Sequence, residues 1–260
     1  MNAVIMMGLI DFFRSASEAN SLPLSDFQEQ SERVVYSSGI DYAPCNGALE
    51  KNETSLKQHD VHEIVKFFNS KKLPFVWWTN NKILETQGFQ FGGIMKGILL
   101  DTAKSKPILP AAPSGVRIKI VDTEQELTAF SRIIADCFGF NSHVEQQYTS
   151  MSRAVMDRKE QIHFLAYVND IPVSTATLTT LPKSAGIWNC ATLPEYRKKG
   201  IGTFLCSAAS MHALKMNYQQ LMAVLMPKGL AWGLFHNLGY KEVSSLPFYV
   251  YGASASELEK

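Results

Sequence analysis

Strand-like and helix-like runs alternate through the second half of the chain, and this alternation restricts the fold more than any other feature. The order read from the periodicity is one strand, two helices, three strands, then a helix, a strand, a helix and a strand. Short connections between such elements predict a mixed α/β sheet with helices on its faces. The predicted elements are the strand 116–121, the helices 127–138 and 144–158, the strands 162–168, 172–178 and 186–192, the helix 201–216, the strand 221–225, the helix 230–237 and the strand 248–251.

The end of the first half repeats part of this pattern. A buried strand at 74–78, a short helix at 80–87 and the pair Gly88-Phe89 follow one another. A strand, a helix and the pair Gly239-Tyr240 follow in the same order about 150 residues later. This recurrence predicts a diverged internal duplication.

A proline- and alanine-rich run, TAKSKPILPAAPSGV at 102–116, is the best candidate for a linker because it has little periodicity. It divides the chain into a first domain at 1–105 and a second at 116–260. The apolar run within the first 20 residues is interrupted by Asp11 and Arg14. We interpret it as a helix that packs on the domain rather than a signal peptide.

Charge and cysteine usage exclude several classes of function. The 25 basic and 24 acidic residues leave a net charge of +1, so we expect neither nucleic acid nor a membrane as a partner. No run approaches the ~20 apolar residues of a membrane span. The cysteines lack metal-ligand spacing, which predicts no metal, no disulfide framework and a reducing, cytoplasmic location. They are Cys45, Cys137, Cys190 and Cys206.

The stretch PEYRKKGIGTFL at 194–205 carries the chemical signal. It follows a predicted strand and begins a predicted helix, whose first amides have no acceptor within the helix and carry partial positive charge. Gly200 and Gly202 lack a Cβ, so a ligand can approach the main chain, and Arg197, Lys198 and Lys199 add positive charge. These features predict a diphosphate site. The alternative is an ordinary strand-to-helix loop with a solvated basic tip.

The longer segment IWNCATLPEYRKKGIGTFL resembles the acyl-CoA-binding core of the GNAT (GCN-five-related) N-acetyltransferase superfamily. That core has a bulged strand, then P-E-Y, then [QR]-x-x-G-x-[GA] at a helix start, and Arg197, Gly200 and Gly202 fill its defining positions. The resemblance extends over about 116–251 and includes LFHNLGY. The first half has no R-x-x-G-x-G. The resemblance therefore implies a GNAT-like acyl-CoA N-acyltransferase fold in two tandem copies, with a degenerate N-terminal copy.

The resemblance also implies the site residues. Main-chain groups of Cys190, Ala191 and Thr192 would pair with the pantetheine arm of acetyl-CoA as an added strand does. Backbone amides of the loop would hold the pyrophosphate, and Arg197 would order the loop. The loop residues carried over are Lys198, Lys199, Gly200, Ile201, Gly202 and Thr203.

The implied reaction is direct attack of an amine on the thioester of acetyl-CoA, with an amide near 191–192 as oxyanion donor. Catalytic residues stay unassigned, because this chain departs from the family pattern. Phe235 stands where many members have a tyrosine that protonates the thiolate, and Lys228 replaces a cofactor-contacting asparagine. An apolar run at 222–225 replaces a frequent carboxylate.

Two other functions stay open on the sequence. One is a non-catalytic acyl-CoA-binding or sensing protein, favoured by Phe235; the other is a nucleotide- or phosphate-binding domain of unrelated fold. The acceptor and the oligomeric state are not predicted. The Cys190 thiol is expected to pack as a small apolar group rather than act as a nucleophile. Glu145 lies where the resemblance places contacts to the acceptor, and a solvated helix face is the alternative. Other polar or aromatic residues are expected to be structural rather than functional: Trp77, Trp78, His163, Glu195, His236, Tyr249 and Tyr251.

Overall fold

One mixed sheet of eleven strands runs through both halves of the chain. The computed structural model describes residues 1–19, 21–52, 56–104, 108–180, 185–226 and 229–253. The first half contains α1 (Ala3–Glu18), β1 (Asp26–Glu29), β2 (Arg33–Ser37), β3 (Asn46–Glu50), α2 (Gln58–Lys71), β4 (Phe75–Trp78) and β5 (Gln90–Asp101). The second half contains β6 (Val116–Ile120), α3 (Glu124–Phe138), α4 (Ser142–Asp157), β7 (Gln161–Val168), β8 (Ile171–Thr180), β9 (Ala185–Thr192), α5 (Ile201–Lys215), β10 (Gln220–Leu225), α6 (Leu230–Asn237) and β11 (Lys241–Tyr251).

The order predicted for the second half is confirmed, and two elements differ in extent or type. β11 begins at Lys241 rather than at 248, because its polar first residues pair with β5 although their side chains are largely exposed. The short helix of the first half is a 3₁₀ helix, Lys82–Gln87. The Asn81 side chain caps its start, and Gly88 ends it in the left-handed region at φ 83°.

The two halves exchange their last strands within the sheet. The strand order is β1-β2-β3-β4-β11-β5-β10-β9-β8-β7-β6. The last strand of the first half, β5, pairs antiparallel with β10, and the last strand of the second half, β11, pairs antiparallel with β4. The division into domains at 1–105 and 116–260 stays a prediction. The described residues between β5 and β6, 102–104 and 108–115, contain no helix or strand.

Each half contains a parallel strand pair joined through a helix, which is the repeated unit of the fold. β3 and β4 flank α2, and β9 and β10 flank α5. In the first half the parallel strands stay together, from Gly47 beside Val76 to Leu49 beside Trp78. A Cβ on Gly47 would lie 2.3 Å from the Val76 carbonyl oxygen, so these strands approach too closely to admit a ligand.

Helices cover both faces of the sheet, and α1 lies over the junction of the halves. Alternate residues of β10 point to opposite faces: Leu221, Ala223 and Leu225 pack in the core that α5 covers, and Met222 packs in the core that α1 covers. The predicted packing helix in the first 20 residues is therefore confirmed as α1. No helix in the described ranges has the length and hydropathy needed to cross a membrane.

Candidate active site

The sheet opens between β9 and β10. Among the described residues these strands pair only where Leu221 meets Ala185 and Met222 meets Gly186. Beyond that point β9 carries a bulge, in which Asn189 adopts a left-handed φ of 53°. A β-bulge bends its strand, so β9 diverges from β10 and one of its edges is free of a neighbouring strand.

Threonine side chains of β8 hold this bulge. Thr175 Oγ1 donates a hydrogen bond of 2.8 Å to the main-chain oxygen of Asn189. The side-chain amide of Asn189 in turn donates to Thr177 Oγ1 at 3.1 Å. These bonds stabilise a positive φ that a residue with a Cβ seldom adopts. Sequence reasoning missed Asn189, although asparagine is among the residues that tolerate this conformation best.

The turn from β9 into α5 matches the geometry of an anion site. A 3₁₀ turn at Pro194–Tyr196 precedes α5, and Gly200 caps the helix at φ 77°. Arg197 Nε donates a hydrogen bond of 2.8 Å to the Thr192 carbonyl. The described backbone offers no acceptor to the amides of residues 198–203. The Lys199 ammonium lies 5.3 Å from the centre of the Tyr196 ring, so it packs on that ring.

One cleft of about 860 Å³ joins this turn to the gap in the sheet. Its size is within the range of small-molecule sites. Residues of both halves line it, including Phe12 and Trp78 from the first half. Every predicted cofactor residue except Lys199 lines the cleft: Cys190, Ala191, Thr192, Arg197, Lys198, Gly200, Ile201, Gly202 and Thr203. Their role in binding stays a prediction.

The cleft carries positive charge at one end, and its described lining residues include no carboxylate or imidazole. The charged residues that line it, among those described, are Arg197 and Lys198, and none is an aspartate, glutamate or histidine. Phe235 lines the cleft with 2% of its surface exposed, and its ring meets Tyr240 edge-on at 5.0 Å. It cannot supply a proton. Lys228 lies outside the described residues. No cluster of three or more metal-ligating side chains occurs in the described ranges.

Two thiols meet on the α5 side of the cleft. Cys190 Sγ on β9 and Cys206 Sγ on α5 are 3.3 Å apart. The contact with Cys190, together with burial, raises the pKa of the Cys206 thiol well above its usual value. Cys206 is therefore protonated at neutral pH.

Two histidines and a glutamate occupy the structural positions expected of them. His163 is buried, with Nδ1 2.9 Å from Thr177 Oγ1, and burial lowers its pKa to about 4. His236 and Glu195 are exposed. None of the three is among the described residues that line the cleft.

The other candidates also have structural partners. Glu145 pairs with Arg132 at 3.1 Å, and Tyr249 donates a hydrogen bond of 3.1 Å to Glu85. The Trp77 indole donates to Glu50 at 3.0 Å, and Tyr251 packs against Phe75 at 5.4 Å. Trp78, expected to be structural, is buried and also lines the cleft.

Sequence reasoning missed the part of the cleft wall contributed by the first half. Leu9, Phe12 and Phe13 of α1 line the cleft together with Tyr36 of β2. Their spacing in α1 indicates a buried helix face. It does not indicate which surface that face meets, because the contact joins segments far apart in sequence.

A family model described as the acetyltransferase (GNAT) family matches residues 127–240. Residues 127–240 therefore form a GNAT-type domain. A comparison with curated proteins finds no match. The matched residues include the bulge at Asn189 and the turn that leads into α5.

Solved structures similar to this one include GNAT proteins. A GCN5-related N-acetyltransferase from Kribbella flavida has a TM-score of 0.67 at 14% identity, with 96% of each chain covered. A GCN5-related N-acetyltransferase from Sphaerobacter thermophilus has a TM-score of 0.65 at 12% identity, covering 86% of this chain and 81% of that one. A tandem GNAT protein from the clavulanic acid biosynthesis pathway has a TM-score of 0.58 at 13% identity, with 97% of each chain covered.

These likenesses confirm the predicted fold, including the tandem arrangement. The first half occupies the place of the N-terminal copy in that tandem fold: it has the parallel pair β3–β4 and lacks the R-x-x-G-x-G turn. In the first half β3 and β4 stay paired, whereas in the second half β9 and β10 separate after two paired positions and leave a gap between them.

Proposed function

We propose that this protein is an N-acetyltransferase that transfers the acetyl group of acetyl-CoA to a primary amine of a small molecule or peptide. The observation that carries the proposal is the opening between β9 and β10 beside the first turn of α5, within one continuous cleft. A thioester held there would meet an acceptor that enters from the other side of the gap.

The cofactor would be bound mostly by main chain. Amides of 198–203 and the positive end of α5 would hold the pyrophosphate, with Lys198 adding charge beside it. The free edge of β9 at Cys190, Ala191 and Thr192 would pair with the amide groups of pantetheine, as an added strand would. Arg197 would act indirectly by keeping the turn in place through Thr192.

The reaction would proceed by direct attack. The neutral amine nitrogen forms a bond to the thioester carbon, and the carbonyl oxygen takes negative charge. The carbonyl then re-forms as the C–S bond breaks with its electron pair leaving on sulfur. The nitrogen loses one proton and the CoA thiolate takes one up, which gives the amide and free CoA. A backbone amide near 191–192 would stabilise the oxyanion. The first half would act as a wall of the acceptor side of the cleft, through α1 and β4.

A non-catalytic acyl-CoA-binding protein is the second candidate. Two observations favour it: Phe235 carries no hydroxyl, and the described cleft residues include no carboxylate or imidazole. Either function needs the same cofactor site, so turnover distinguishes them.

Calorimetry with CoA, ATP and NAD, followed by thiol release from acetyl-CoA with a broad panel of amines, tests the proposal. We expect CoA to bind more tightly than either nucleotide and amide formation with at least one amine. Binding of acetyl-CoA without turnover across the panel would favour the sensing function. Preference for ATP or NAD would contradict both candidates.

A further inference from the structure

Aromatic rings wall the cleft on the α1 face of the sheet. Phe12 of α1 stacks on Trp188 of β9 with ring centres 4.2 Å apart and planes 16° apart. Phe13 stacks on Tyr36 at 3.7 Å and 5°. All four residues line the cleft. Phe13 and Tyr36 are buried behind this surface, whereas Phe12 and Trp188 are partly exposed. Phe12 and Trp188 therefore present apolar ring surface on the acceptor side, where an aromatic ring can pack.

This wall contains no counter-charge for a cation. Arg197 and Lys198 carry the charge among the described lining residues, and both are positive. A protonated alkylamine entering the cleft would lose its hydration and gain no carboxylate. The aromatic rings would attract its charge, but Arg197 and Lys198 at the other end of the cleft would repel it. No described lining side chain is a carboxylate or imidazole that could take its proton before attack.

The hydroxyl groups near the bulge are already engaged as donors. Ser174 Oγ donates to the Ala191 carbonyl at 2.7 Å, and Thr175 Oγ1 donates to the Asn189 carbonyl at 2.8 Å. These groups orient the strand edge and are unsuited to act as bases. Burial raises the pKa of the lining Tyr36 and Tyr148 hydroxyls, so these groups also hold their protons near neutral pH. The lining therefore favours an acceptor nitrogen that arrives with its lone pair free.

We propose that the acceptor is an uncharged aromatic amine, an inference that rests on the acetyltransfer function proposed above. In an aromatic amine the nitrogen lone pair is delocalised into the ring, so the amine is neutral near pH 7. Its ring can pack on the partly exposed rings of Phe12 and Trp188, which the buried pair Phe13 and Tyr36 supports from behind. It needs no base before attack, and the proton lost by nitrogen balances the one that the CoA thiolate takes up.

A matched set of acceptors separates charge from aromaticity. Aniline is neutral and aromatic, benzylamine is charged and aromatic, cyclohexylamine is charged and aliphatic, and methoxyamine is neutral and aliphatic. Thiol release from acetyl-CoA at pH 7.5 gives kcat/KM for each. We expect aniline to exceed both charged amines by about tenfold or more. The kcat/KM for aniline should stay level between pH 6.5 and 8.5, because aniline is neutral throughout. The kcat/KM for benzylamine should rise with pH as more of this amine loses its proton.

The outcomes distinguish this inference from the function on which it rests. If benzylamine or cyclohexylamine is the better acceptor at pH 7.5, acetyl transfer stands and the aromatic-acceptor inference is wrong. If methoxyamine equals aniline, neutrality matters and the stacking part is wrong. If acetyl-CoA binds and no amine reacts, both proposals fall.

Neighbouring residues of β5 offer a matched pair of variants. Met95 lines the cleft, whereas the adjacent Ile94 is 41% exposed and is not among the described lining residues. Met95→Glu should lower kcat/KM for aniline by about tenfold or more, because it puts a charge in the apolar wall. Ile94→Glu should leave it unchanged. Acetyl-CoA affinity is measured in both variants to show that each is folded. If both bind acetyl-CoA and have equal kcat/KM for aniline, Met95 does not line the acceptor side and the inference is wrong.

Discussion

Arg197 Nε donates a hydrogen bond of 2.8 Å to the main-chain carbonyl of Thr192. The bond joins the end of β9 to the turn that leads into α5. It thus holds the strand edge proposed for pantetheine and the turn proposed for pyrophosphate in one fixed relation.

Replacing this guanidinium should weaken cofactor binding. A hydrogen bond from a charged group contributes about 1.5–3 kcal/mol, and about 1.4 kcal/mol corresponds to tenfold in affinity. We expect Arg197→Gln to lower acetyl-CoA affinity about tenfold by calorimetry. Arg117→Gln is the control, because Arg117 is exposed and pairs with Asp170 at 2.9 Å away from the cleft. Equal losses in both variants would contradict the proposed role.

A carboxylate at Gly202 should occupy the anion position. A Cβ there would lie 3.2 Å from Thr192 Oγ1 and 3.3 Å from Leu234 Cδ1, so small shifts accommodate it. Aspartate in the first turn of a helix stabilises the helix by about 0.3–1 kcal/mol. We expect Gly202→Asp to lower CoA affinity by about 100-fold, or about 2.7 kcal/mol, with the melting temperature nearly unchanged.

Gly233→Asp is the matched control, since a Cβ at Gly233 of α6 meets no atom within 4 Å. Gly200 is a poorer test site, because its φ of 77° would strain any L-residue. Retained CoA affinity in Gly202→Asp would place the diphosphate elsewhere.

Direct attack predicts that the Cys190 thiol is dispensable. Cys190→Ala should retain thiol release within about threefold, because loss of a true nucleophile costs about a thousandfold or more. Cys206→Ala controls for packing, as its sulfur lies 3.3 Å from that of Cys190. An acetylated Cys190 in acid-quenched enzyme would instead demonstrate a covalent intermediate.

His163 should make the fold sensitive to acid. Burial lowers the pKa of His163 to about 4, below the usual value near 6.5. The unfolded chain therefore takes up this proton first as the pH falls. The stability contribution is complete above about pH 6.5 and is lost progressively towards pH 4, by about 3 kcal/mol.

Urea unfolding at pH 7.5, 5.5 and 4.5 checks this expectation. His163→Asn should show a shallower loss of unfolding free energy between these values than the unaltered protein. His59→Asn should behave like the unaltered protein, because the His59 side chain is 66% exposed. The same pH dependence in all three proteins would assign the acid sensitivity to other groups.

Local patterns predicted the second half well because its elements alternate over short connections. The capping residue Thr123 and the left-handed Gly139 bound α3 where the sequence indicates a helix. In contrast, the early part of β11 has no buried alternation, and only its pairing with β5 makes it a strand. Periodicity does not predict that β5 pairs with β10 and that β11 pairs with β4. The main-chain groups at the edge of a sheet can bond to a strand of either half, so the pattern of one strand does not identify its partner.

The fold family and the position of the turn proposed to bind an anion follow from the sequence alone, because the chemistry of a helix start and of glycine depends on a few consecutive residues. Only the folded chain shows that α1 walls the cleft and that the parallel strands separate in one half and stay together in the other. It also shows that the proposed acceptor side is aromatic and that its described lining residues include no carboxylate or imidazole. These features arise from contacts between distant segments, such as Phe12 on Trp188, whose burial only the folded chain fixes.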